Sequence, residues 1–339
     1  MALKRIGNQT IKLLNPPTIL SNYSIVGPKE GQGPLKDYFD LIIEDDLWGQ
    51  ESFEKAECKF QEEAIRSAVD NAELSLKDMD FLIAGDLLNQ IVATGYSARE
   101  LAIPFFGLYG ACSTMTESLS LGAMLVEGGF ADKLVCATSS HFSTAERQFR
   151  FPLEYAAQRT FSAKWTVTGA GATVLSSYGS GPYITHVTPG RIIDPGITDA
   201  ANMGAAMAPA AMDTLINHFQ DTGFKPSDYD LIITGDLGIV GKSIVMDMMK
   251  EKGYDLGSVY TDCGVEIFNP RAQDTHAGGS GCACSAVVLN GYVLKEMKKG
   301  KFKRVLFMST GALHSPIITQ QGESIPSIGH AITIDINNE

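Results

Sequence analysis

Six cysteines are spread over this chain, at positions 58, 112, 136, 263, 282 and 284, and Cys112 stands where a thiol does chemistry or faces a ligand. A short apolar run, Phe105 to Tyr109, leads into Gly110-Ala111-Cys112-Ser113-Thr114-Met115-Thr116-Glu117. Leu119, Leu121, Met124 and Leu125 then follow at helical spacing. The pattern predicts a strand, a turn and a helix with Cys112 in its first turn. Unpaired backbone N–H groups and the helix dipole favour a thiolate or an anion there. Nucleophilic catalysis also requires a base for the thiol and donors for the developing oxyanion. Cys282-Ala283-Cys284 is the other close pair, but no Cys or His pair at structural-zinc spacing accompanies it, so buried packing is expected and no metal site.

The elements that must position Cys112 belong to a chain of 339 residues, enough for one large domain or two ordinary ones. No stretch approaches the ~20 apolar residues of a membrane span. The N-terminus has no apolar run with a cleavage site, so the expected location is cytoplasmic with reduced cysteines. A net charge of −12 argues against a nucleic-acid or anionic-membrane surface. An anionic ligand therefore needs local compensation from Arg, Lys or backbone N–H groups.

One segment occurs twice. Asp78-Met79-Asp80-Phe81-Leu82-Ile83-Ala84-Gly85-Asp86-Leu87 returns without gaps as Asp228-Tyr229-Asp230-Leu231-Ile232-Ile233-Thr234-Gly235-Asp236-Leu237. Each copy follows a helical pattern, the first capped by Ser52 with Ala56, Phe60, Ala64, Ile65 and Ala68 facing inward. In a second match, the Cys112 helix runs through Gly128-Gly129-Phe130 to a strand at Lys133–Thr138. Likewise Gly281–Lys298 runs through Gly300-Lys301-Phe302 to Arg304–Ser309. Two correspondences in register predict a duplicated α/β unit. The first half is expected over 1–192, closed by strands at Ala172–Ser176 and Tyr183–Val187, and the second over 193–339. An insertion at 142–168, carrying Arg147-Gln148-Phe149-Arg150-Phe151-Pro152, reads as a lid or a dimer-facing segment. A ligand site is expected at the seam, near strand C-termini. Asp86 and Asp236 occupy matching positions; helix capping or turn ordering is one reading, and ligand contact the other.

The chain resembles the thiolase and β-ketoacyl synthase superfamily over nearly its whole length. The resemblance is carried by GACSTMTESL (110–119), ATSSHFSTAERQFRFP (137–152), TDAANMGAAMAPAA (198–211) and AGGSGCACSAVV (277–288). It implies an α/β, duplicated five-layer αβαβα fold with two mixed, mainly parallel sheets, and a homodimer joined through the first-half sheet. Within that superfamily the strings are most similar to a sporulation family. That similarity implies a protein that binds dipicolinic acid (pyridine-2,6-dicarboxylate) for uptake into the developing spore. Calcium would enter only as part of the ligand's chelate, and no cofactor is implied. The implied partners are membrane proteins of the stage V sporulation A channel complex, which would hold the chain peripherally at the spore inner membrane.

Enzymes of the superfamily pair the cysteine with two groups from the second half, His with His or Asn. Here the first position reads Thr234-Gly235-Asp236-Leu237 and the second Ala277-Gly278-Gly279-Ser280-Gly281, with no histidine between His218 and His276. Each lost group removes roughly two to four orders of magnitude in rate, and Asp236 beside the thiol would oppose its ionisation. Cys112 is thus expected to be a vestigial nucleophile that marks a binding pocket. The expected ligand contacts are Cys112, the strand end Ser139-Ser140-His141, Arg147 and Arg150 as counter-charges, Asp236, Gly279 and Ser280 in the Gly-rich turn, and His330. His141 and the arginines equally suit a loop surface, and His330 a satisfied buried histidine. Asn89 and Gln90 are further candidates, whereas His186, His218 and His314 read as ordinary strand or surface residues. The competing functions are an active acyl-CoA-dependent acyltransferase using Cys112 and an architectural subunit with an idle pocket.

Overall fold

A computed structural model describes residues 4–150 and 158–337. Phe151 and Pro152, the end of the arginine-bearing run, lie outside the described residues. Ser52 caps a helix as its position predicts. Its side chain accepts the Lys55 N–H, and α1 (Phe53–Asn71) buries Ala56, Phe60, Ala64, Ile65 and Ala68 on one face.

The first half contains β1 (Thr18–Val26), β2 (Phe81–Asp86), β3 (Phe105–Gly107), β4 (Lys133–Ser140) and β5 (Gly169–Ser176). Their order across the sheet is β3-β2-β4-β5-β1. The second half contains β6 (Tyr183–Thr188), β7 (Leu231–Gly235), β8 (Tyr260–Asp262), β9 (Arg304–Ala312) and β10 (Ser327–Asp335), in the matching order β8-β7-β9-β10-β6. In each half only β5 or its counterpart β10 runs against the other four strands. The two half-sheets meet where Thr18 of β1 pairs with Tyr183 of β6. The strand expected to close the first half, Tyr183–Val187, instead opens the second, because it pairs along β10 from Ala331 to Asp335. Its apolar pattern suits either sheet, and only the long-range partner decides between them.

The other long helices among the described residues are α2 (Val92–Leu101), α3 (Thr114–Glu127), α4 (Phe142–Phe149), α5 (Met203–Thr222), α6 (Gly238–Glu251) and α7 (282–298). Helix α7 is α-helical over Cys282–Val287 and widens to a π-helix over Val288–Val293, where Asn22 Nδ2 takes the Asn290 carbonyl at 2.5 Å. Three apolar clusters define five layers. Phe60, Ile65 and Ala98 of α1 and α2 pack on Leu82, Val135 and Val174. Met115 and Leu119 of α3 and Val287 of α7 lie between the half-sheets, against Leu134, Leu175, Phe307 and Ile334. Leu215 of α5 and Val245 of α6 cover Ile232 and Leu306. The low charge of α3 follows from this burial between two sheets.

The duplicated aspartates do the same structural work in both halves. Asp78 accepts the Ser75 N–H at 2.8 Å and Asp228 the Lys225 N–H at 2.7 Å, each closing the short turn before its strand. Asp80 Oδ2 accepts from Asp132 and Lys133 N–H, and Asp230 Oδ2 from Lys303 and Arg304 N–H, clamping each central strand to its neighbour.

Candidate functional site

The pocket is built where both central strands end. Asp86 closes β2 and Asp236 follows β7, but the two copies diverge in role. Asp86 accepts the Leu88 and Thr94 N–H groups at 2.8 and 2.7 Å, ordering the entry to α2. In the second half that work passes to Asp262, which accepts the Leu237, Gly238 and Gly264 N–H groups. Asp236 adopts a left-handed backbone (φ +57°) and turns towards Cys112.

Cys112 lies one residue before the α3 N-cap, Ser113, rather than inside the first turn. The preceding Ala111 is itself left-handed (φ +50°), which makes a sharp strand-to-helix corner at the buried Cys112. The Asp236 carboxyl and the Gly281 N–H both act on the thiol, the first opposing a thiolate and the second favouring one. Gly281 has φ +100°, and a Cβ there would stand 2.7 Å from Ser140 Oγ, so only glycine brings that N–H so close. Thr310 Oγ1 and Ser280 Oγ lie 2.9 and 3.3 Å from the two Asp236 carboxyl oxygens, Thr310 also bonding to the Gly235 carbonyl, and the buried Lys164 donates to the Asp236 carbonyl. Burial, and next the Asp236 charge, push the Cys112 thiol well above its ordinary value. Burial likewise raises the Asp236 carboxyl. The corner is therefore poised against a thiolate, despite the helix behind it.

The cavity over this corner measures about 650 Å³, within the roughly 300–1,000 Å³ usual for small-molecule sites. Its wall includes Cys112, Asp236, Ser280, Arg150, Arg159 and Lys164. Helix α4 and residues 158–166 supply much of it, so the expected insertion covers the pocket. Of the residues expected to contact ligand, Cys112, Asp236, Ser280 and Arg150 converge here.

The structure turns the others elsewhere. β4 runs on through Ser140 instead of ending at Thr138, so both serines are strand residues. Ser139 bonds to Glu57 on α1, and Ser140 bonds to Val167 and Ala283. His141 caps α4 through Ser143 N–H and binds the Asp46 carbonyl, which leaves it no free nitrogen. Arg147 pairs with Glu54 on α1. Gly279 is buried in a two-residue ladder with Trp165. His330 is a β10 residue opposite Ser309, accepts the Gly190 N–H at 3.1 Å, and is held neutral by burial, at about 4. Asn89 and Gln90 are exposed, outside the cavity wall.

Three residues missed from the sequence complete the wall. Lys164 and Arg159 come from the insertion, and Arg159 Nη1 is buried without a partner among the described residues. His314 is only 8% exposed, leans on Phe149, and has a buried Nδ1 with no partner among the described residues. An aperiodic insertion gave no local signal for the first two. For His314 the usable signal was its place just past the end of β9.

Two pseudo-equivalent half-sheets with a cysteine at the mouth of the buried central helix define a protein of the thiolase fold. Solved structures agree. The 3-oxoacyl-[acyl-carrier-protein] synthase III of Aquifex aeolicus matches with TM-score 0.58 at 12% identity, over 94% of this chain and 99% of that one. An OleA E117Q variant of Xanthomonas campestris matches with TM-score 0.62 at 14% identity, over 95% and 99%. These likenesses show the fold alone. More specifically, the chain belongs to the stage V sporulation protein AD (SpoVAD) family, whose sequence model matches residues 7–335. It is 47% identical over 333 residues to the stage V sporulation protein AD of Bacillus subtilis (strain 168), covering 98% of each chain.

Proposed function

We propose that this chain is a non-catalytic sporulation protein that binds dipicolinic acid, free or as its calcium chelate, for delivery into the developing spore. The observation that carries this reading is the pair facing Cys112. Asp236 and Ser280 stand where a condensing enzyme needs a base and an oxyanion donor, and the thiol is held protonated. Arg150, Arg159 and Lys164 line the same cavity and suit a planar dianion: Arg150 also pairs with Glu146 and Arg159 with Asp274, while Arg159 Nη1 has no partner among the described residues. Among the described residues no helix is long and apolar enough to cross a membrane, so attachment at the spore inner membrane would run through channel proteins. A homodimer would cover the free edge strand β3, where Phe106 is 51% exposed.

Titration calorimetry with dipicolinate tests the reading, and no heat at millimolar ligand with folded protein would sink it. Arg159→Ala is expected to weaken binding by about 10- to 100-fold, the worth of a charge-assisted carboxylate contact, with the melting curve recorded alongside. A covalent acyl adduct on Cys112 after incubation with acyl-CoA, absent from Cys112→Ala, would instead establish the acyltransferase.

A further inference from the structure

Behind the pocket wall, α1 meets the end of β4 and the start of α4 at a buried polar cluster centred on Glu57. Glu57 is fully buried. Ser139 Oγ lies 3.1 Å from its Oε1, and Thr144 Oγ1 lies 3.0 Å from its Oε2. Thr144 Oγ1 is also 3.0 Å from the His141 carbonyl. One hydroxyl carries one proton and cannot serve both acceptors. Both contacts hold when Glu57 supplies a proton of its own: the acid donates to Thr144, and Thr144 donates to His141. An ionised Glu57 would take the Thr144 proton away from that carbonyl.

The surroundings leave Glu57 no counter-charge. From β2 it faces the Asp86 carboxylate, and from α7 the Cys282 thiol. Cys58 is its neighbour on α1, and the Arg99 charge that reaches Cys58 from α2 is paired with Glu100. From α4, Arg147 is taken by Glu54, and the His141 ring has both nitrogens occupied. Burial, then the Asp86 charge, push the Glu57 acid up to about 8, and burial raises the Asp86 carboxyl too, so the two resist carrying charge together.

Helix α4 and its C-cap Arg150 carry Phe142, Ala145 and Phe149 into the cavity wall, and Thr144, beside the Arg147–Glu54 pair, ties the helix to α1. We propose that Glu57 is a positioning residue for the ligand pocket: as a neutral acid it fixes Thr144 and Ser139 and sets where α4 stands over Cys112, and its ionisation loosens that wall. The consequence for ligand rests on the binding reading above.

The test compares the full chain with Glu57→Gln, whose amide donates to Thr144 and accepts from Ser139 without ionising. Amide-exchange protection of 142–149 without ligand, and dipicolinate affinity by calorimetry, are followed from about pH 6 to about pH 9.5, a range in which the ligand stays a dianion. Glu30, also buried and raised to about 8, holds the Thr168 N–H at 3.0 Å in both chains, so the difference between them is the readout. In the wild-type chain, protection of 142–149 relative to α1 should fall above pH 8, and affinity should weaken by about tenfold. Glu57→Gln should be markedly flatter in both. Parallel curves for the two chains, or unchanged wild-type protection, would overturn the role given to Glu57. Dipicolinate that binds at no pH, while protection still separates the two chains, would overturn the binding reading and leave Glu57 as the anchor of α4.

Discussion

Asp236→Asn is expected to raise the rate at which iodoacetamide alkylates Cys112 at neutral pH by about tenfold or more, one pKa unit being a factor of ten in thiolate. The thiol and the Asp236 carboxyl share a buried corner, where burial raises both and the Asp236 charge opposes a thiolate. Whichever group ionises first, the second charge must be placed beside it. Asparagine keeps an oxygen for Thr310, turns its amide N–H towards the Ser280 hydroxyl as donor, and removes that first charge. What remains near the sulfur is the Lys164 ammonium and the Gly281 N–H, both of which favour a thiolate. Peptide mass spectrometry, with Cys112→Ala as the blank for the half-buried Cys58, reads the rate. An unchanged rate would show that burial alone holds the thiol protonated, and the account of Asp236 would fall.

Gly311→Val is expected to destabilise the chain by about 2–4 kcal/mol and to abolish the dipicolinate binding proposed above. Strand β9 passes so close to the Cys112 corner that a Cβ on Gly311 would stand 2.2 Å from the Gly110 carbonyl oxygen and 3.3 Å from the Cys112 N. Both are backbone atoms, so no side chain can swing aside. β9 is held on its two sides by β7 and β10, which leaves the corner as the part that must move. Gly95→Ala on α2 supplies the contrast, since a Cβ there meets nothing within 4 Å. It should gain about 0.5–1 kcal/mol by stiffening the helix. Urea denaturation with a common slope separates the two, and equal midpoints would refute the close-approach argument.

The local elements were legible for a local reason. A helix such as α1 announces itself through a cap at Ser52 and apolar residues at helical spacing, both set within one segment. The duplication was legible because it is a statement about sequence, and the structure repeats it strand for strand. The corner around Cys112 and the two positions facing it, Asp236 and Ser280, were likewise reached from the chain order of the superfamily's elements. Strand ends were the weak point. Two extra residues on β4 turned Ser139 and Ser140 from pocket candidates into links to α1 and α7, and β9 ends only at Ala312, just short of His314. In a strand, one residue more or less exchanges the faces that side chains occupy.

By itself, then, the sequence determined a duplicated thiolase-like α/β chain with a cysteine at the mouth of its central helix and no histidine at the two partner positions. Periodicity, caps and the internal repeat carry the duplicated α/β architecture, and the resemblance to the superfamily carries the place of the cysteine and the two partner positions. Only the tertiary structure decided which charges face the cavity. Arg147 goes to Glu54 while Arg150, three residues on, reaches the wall, and Lys164 and Arg159 arrive from an insertion with no periodicity. His330 is spent on a backbone N–H, whereas His314 Nδ1 has no partner among the described residues. Those outcomes depend on the partners that segments far apart in the chain present to one another once the layers are packed, and no window of sequence contains them.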